Sequence, residues 1–110
     1  MAPDSLPNID VYRALVARFF DAEVKGKANP YTSINGNMYS FLDKAGTVCL
    51  RLPKDAIQTY QEAFGTGPVT QYGSVMREYV ALPHELLRSP DDLADVFAVC
   101  RQHALDLPAK

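Results

Sequence analysis

The sequence predicts a single α+β domain in which helices pack on an antiparallel sheet, in the order helix, three strands, helix, two strands, helix. Three observations carry that prediction. Apolar residues recur at helical spacing near both ends and once in the middle, they alternate with polar residues in between, and turn-forming residues mark each change of period. A chain of 110 residues with 47% apolar and 22% charged residues has enough material for one buried core and too little for two.

Residues 1–7 hold two prolines and no periodic pattern, so they are expected to form a disordered tail ahead of a domain spanning 8–110. In the first helix Tyr12, Leu15, Val16, Phe19 and Phe20 share a face, with Arg13, Ala17, Arg18 and Asp21 on the other side. Asn8 or Asp10 is expected to cap it, because a short side-chain oxygen can accept from the free amides of the first turn. Gly26 and the Asn29-Pro30 pair stop any continuation.

Residues 31–52 read as a three-stranded meander. Asn35-Gly36 forms the first reversal, since both residues tolerate the positive φ of a tight hairpin, and 38–42 is the second strand. Residues 43–46 form the next reversal, and in the third strand, 47–52, Val48, Leu50 and Leu52 alternate with Cys49 and Arg51 until Pro53 ends the ladder. A second helix over 54–64 places Ile57, Tyr60 and Phe64 together, and Gly65 stands where a left-handed cap belongs. After the Gly67-Pro68 loop, 69–72 is a short strand and 75–82 a stronger one. A helical turn is expected over 84–87. The last helix opens with Ser89 as cap, Pro90 at its first position and Asp91 and Asp92 against the positive end of the dipole; Leu93, Val96, Phe97, Cys100 and Ala104 form its buried stripe, to about Asp106.

The formal charge of −2, with 11 basic and 13 acidic residues and no long run of either, supplies no field for phosphate backbones or anionic lipid. Direct nucleic-acid binding and membrane insertion are therefore not expected, and the chain reads as cytoplasmic. Two cysteines without a CxxC pair do not make a disulfide scaffold. Cys100 lies on an apolar stripe and reads as a small hydrophobe. Cys49 alternates with Arg51, whose charge would lower a thiol pKa, but no base accompanies it in sequence. His84 and His103 have no companion set of metal ligands, and Gly65-Thr66-Gly67 lacks the lysine of a phosphate loop. The sequence thus predicts no catalytic residue, no cofactor and no metal. The residues best suited to recognition are Asn35, Asn37, Tyr39 and Arg51 in the meander and Tyr72, Arg77 and Tyr79 in the later strands, because tyrosine and arginine combine area with hydrogen bonding.

Four segments in order carry a family resemblance: 32–42 (TSINGNMYSFL), 50–53 (LRLP), 72–80 (YGSVMREYV) and the LPxxLL run ending at Leu87. Together they resemble the N-terminal domain of TfoX/Sxy proteins, over roughly residues 31–107. The resemblance implies an α-β(3)-α-β(2)-α fold of the secretion-chaperone-like kind, with an antiparallel sheet packed by helices. It also implies a regulatory role, since full-length TfoX/Sxy proteins regulate natural competence with the cyclic-AMP receptor protein at promoters and carry a second, helical domain for which these 110 residues hold no counterpart. No family catalytic residue carries over. The expected function is a non-enzymatic regulatory or protein-interaction domain, through a protein partner or self-association. The alternative is small-ligand binding or weak enzymatic activity in a sheet–helix cleft using Arg51, Arg77 and Cys49.

Overall fold

A computed structural model describes residues 7–26, 29–71 and 73–109, the side chain of residue 71 excepted. Residues 1–6 of the expected tail and Tyr72 lie outside them. The elements run α1 (Ile9–Phe20), β1 (Tyr31–Ile34), β2 (Asn37–Leu42), β3 (Val48–Arg51), α2 (Lys54–Phe64), β4 (Thr70–Gln71), β5 (Ser74–Val75), β6 (Tyr79–Ala81), two 3-10 turns (His84–Arg88 and Pro90–Leu93) and α3 (Ala94–Asp106). A four-stranded antiparallel sheet of order β1-β2-β3-β6 forms the scaffold, and β4 and β5 pair only with each other. The α+β class with helices on an antiparallel sheet is as the sequence predicts.

Both meander reversals form where the turn residues stand, and Asn35 and Gly36 take φ of 53° and 84°. α2 has the predicted bounds, and Gly65 closes it with φ 67°, its N–H donating to the Gln61 carbonyl. Two capping expectations fail. Asn8 precedes α1 in a left-handed conformation and gives no side-chain cap; its amide nitrogen instead donates to the Gly46 carbonyl at 2.8 Å, tying the helix start to the β2–β3 turn. Ser89 gives no side-chain cap either, because the chain enters α3 through a 3-10 turn in which the Asp92 N–H donates to the Ser89 carbonyl. Asp91, expected to serve the helix dipole, forms an ion pair with Arg18 of α1.

The strand predicted over 75–82 is broken. Val75 ends β5, Arg77 and Glu78 turn, and only Tyr79–Ala81 joins the sheet as β6. A further departure lies in β2. Thr32 pairs with Ser40 and Ser33 with Met38, so Tyr39 has no partner opposite it, as in a β-bulge. The bulge resets the alternation. Tyr39 faces the helices, whereas Phe41, two residues on, faces away.

The core is consequently split by the sheet. On the helix side Tyr12, Leu15, Val16 and Phe20 of α1 and Val96, Phe97, Cys100 and Ala104 of α3 bury Leu42, Val48, Leu50 and Val80. Aromatic contacts stitch this side: Phe19 stacks on Phe97 with centroids 4.8 Å apart, and Phe20 meets Tyr39 edge-on at 4.9 Å. α2 adds Ile57, Tyr60 and Phe64 as half-buried flank. On the far side a smaller cluster of Phe41, Cys49, Val69 and Tyr79 forms, edged by Tyr31, Met38, Met76 and Ala81.

Candidate functional site

The far face of the sheet gathers most of the chemistry that the sequence singles out. Cys49 pairs with Ala81 and Arg51 with Tyr79 across β3 and β6, so thiol, guanidinium and phenol all project from one face. Met38 lies beyond the last β2–β3 pair, Ser40 with Leu50, and its carbonyl accepts twice, from Tyr79 Oη at 2.9 Å and from Arg51 Nη1 at 3.4 Å. Arg51 Nη2 also meets Glu78 Oε2 at 2.9 Å. Its Nε is buried without a partner among the described residues, which costs free energy unless solvent reaches it. Phe41 and Tyr79 pack with ring centroids 5.1 Å apart.

Burial sets the chemical character of this cluster. The Cys49 thiol is pushed up to about 12, first by burial and then by the charge of Asp43. The reading in which Arg51 would activate Cys49 is thereby corrected: Arg51 is engaged with Glu78 and Met38, and desolvation disfavours the thiolate. Tyr79 is likewise raised by burial, against a lowering contribution from Arg51. At neutral pH burial favours the protonated form of both groups.

The remaining recognition residues scatter. Asn35 stands exposed at the tip of the first hairpin. Asn37 is buried, and its amide donates to the Pro108 carbonyl at 2.8 Å, so it pins the segment that follows α3. Tyr39 is only 6% exposed and lies on the helix side against Phe20. Arg77 is exposed on the turn before β6. Of the predicted set, the structure brings Arg51 and Tyr79 together, keeps Asn37 and Tyr39 on the other side and leaves Asn35 apart.

The cleft expected to hold Arg51, Arg77 and Cys49 is not at the sheet–helix boundary, since Cys49 and Arg51 point away from α1 and α3. A shallow groove of about 270 Å³ does run between those helices, lined by Phe19, Ala94, Ala98, Arg101, Gln102 and Leu105. Its volume falls below the roughly 300–1,000 Å³ of typical small-molecule sites. Cys100, on the buried face of α3, donates to the Tyr39 carbonyl at 3.4 Å and is raised to about 12 by burial. His84 is exposed beside Thr47 Oγ1 at 3.1 Å. Among the described residues no three His, Cys, Asp or Glu side chains converge as metal ligands, and no helix is long and apolar enough to cross a membrane.

The chain matches no family model, no curated protein and no solved structure.

Two features of the far face were missed by sequence reasoning. The residues that cover it, Val69 and Met76, lie on the segment between α2 and β6, which the periodicity assigns to strands of the main sheet. The convergence on the Met38 carbonyl depends on β3 pairing with β6, which brings Arg51 and Tyr79 together and which apolar patterning does not reveal.

Proposed function

We propose that this chain is a non-enzymatic protein-interaction or regulatory domain, of the kind that the resemblance to TfoX/Sxy N-terminal domains implies, and that it meets its partner with the far face of the sheet. One observation carries the reading. Val75, 57% exposed, adjoins half-buried Met76 at the margin of a cluster that also includes half-buried Met38 and Tyr31, and exposed Arg77 and Glu78 follow in the chain. Adaptable methionine, a tyrosine and flanking charges suit a recognition surface, because they bury area on contact and stay soluble without it. The chemistry of the thiols supports the non-enzymatic part, since both are held protonated by burial.

The test is capture of proteins from a native lysate by the wild type and by Val75→Asp, alongside sedimentation velocity of both. The expected result is a specific protein, or self-association, retained by the wild type and lost in the variant. A monomeric sedimentation profile with no capture that depends on Val75 overturns the reading.

A further inference from the structure

Residues 66–71 and 73–78 run along the far face between α2 and β6, and their described side chains touch the rest of the molecule sparingly. Val69 is the only side chain described as buried along this stretch, with Met76 half-buried beside it. The β4–β5 ladder joins no other strand, and the Met76 N–H donates to the Val69 carbonyl at 2.7 Å. Among the described residues, hydrogen bonds to neighbouring elements lie toward the two ends: the Thr66 N–H donates to Gln61 of α2, the Met76 carbonyl accepts from the Tyr79 N–H of β6, and Glu78 accepts from the Leu52 N–H and pairs with Arg51. At the α2 root the chain is also uncrowded, for a Cβ on Gly65 or Gly67 would meet nothing within 4 Å.

We propose that this segment is a strap that opens as a unit while the rest of the domain stays folded, uncovering Phe41, Cys49 and Tyr79. Among the described residues, opening removes the packing of Val69 and Met76 and loosens an ion pair whose glutamate is exposed and whose mostly buried arginine keeps its contact with the Met38 carbonyl, which places it toward the low-cost end of local unfolding. A second observation points the same way. The two buried polar atoms without partners among the described residues, Thr66 Oγ1 and Arg51 Nε, sit at the two roots of the strap. Water admitted there satisfies both, which offsets part of the cost of lifting the strap. The proposal is independent of whether a partner binds this face.

The molecule carries its own reporter and its own control. Cys49 is buried on the strap side of the sheet and Cys100 on the sheet-facing side of α3, each 1% exposed or less. Once uncovered, a thiol regains its ordinary acidity and reacts as the thiolate. Alkylation with iodoacetamide at mildly alkaline pH, resolved by peptide mass spectrometry across sub-denaturing urea, reads both sites. Cys49 is expected to react about tenfold or more faster than Cys100, with little urea dependence, while Cys100 follows global unfolding. Val69→Ala, which trims the buried anchor, should accelerate Cys49 roughly a further fivefold and leave the Cys100 rate tied to the global midpoint. Equal rates with equal urea dependence in the wild type, or reaction of Cys49 only as the whole domain unfolds, overturn the proposal whatever the variant does.

Discussion

Ser40 joins three hydroxyls in the driest part of the molecule. Its Oγ lies 2.7 Å from Tyr12 Oη and 2.5 Å from Thr32 Oγ1, and Tyr12, Thr32 and Ser40 are each 1% exposed or less. The arrangement fixes where α1 crosses β1 and β2, since sliding the helix would strand a buried phenol. Ser40→Ala removes the shared partner of both neighbours, whereas Tyr12→Phe removes one hydroxyl and leaves the Ser40–Thr32 contact in place. Ser40→Ala is therefore expected to cost about 1–3 kcal/mol, and Tyr12→Phe less, by urea denaturation. The reverse order would mean that the Tyr12 hydroxyl, and not Ser40, is the group on which the network depends.

At the scale of elements, two glycines of the same conformation separate backbone preference from packing. Gly46 (φ +85°) and Gly65 (φ +67°) both lie in the left-handed region. A Cβ on Gly65 meets open space, so Gly65→Ala should cost only the conformational penalty, about 1–2 kcal/mol. A Cβ on Gly46 would stand 2.7 Å from Pro7 Cβ and 2.9 Å from the Pro7 carbonyl oxygen. Gly46→Ala should therefore cost about 2–4 kcal/mol and loosen the start of α1, read as faster amide exchange over Tyr12 and its neighbours. Equal costs would mean that the Pro7 contact carries no weight.

The elements were legible in the sequence where one local signal decided them. α2 begins after Pro53 and ends at Gly65, and no distant contact was needed to place it. Strand 75–82 was misread because the turn at Arg77 and Glu78 uses residues with no turn chemistry, between apolar neighbours that suit a continuous strand. The bulge was invisible because Tyr39, Phe41 and Leu42 are all apolar, so either register buries them. The site followed the same division. Arg51 and Tyr79 were recognisable as residue types, but their meeting depends on β3 pairing with β6 across the whole of α2, which no local pattern encodes.

Across the whole molecule, the sheet separates a thick side built by α1 and α3 from a thin side covered by one strap, with a buried thiol in each. Both thiols rise from an ordinary 9.0 to about 12 on folding, because burial penalises the thiolate. The sign follows from proton binding. Below about pH 9 folded and unfolded chains both hold these protons and stability is at its plateau, whereas between 9 and 12 the unfolded chain alone releases them, so stability falls as pH rises. Tyr12 and Tyr79, raised in the same direction by burial, add to the fall. A urea midpoint that drops through this window, and drops less steeply in Cys49→Ala, is the expected result; a midpoint flat to pH 12 would contradict the burial of both groups.

The two amide tethers have a mechanical consequence. Asn8 grips Gly46 just beyond one end of β2, and Asn37, at the other end, grips Pro108. Tension applied through Pro7 and Pro108 therefore enters the sheet at points on the order of 20 Å apart along a single six-residue strand. That strand would be loaded lengthwise between both of its neighbours, so its rungs must slip together and cannot be unzipped one at a time.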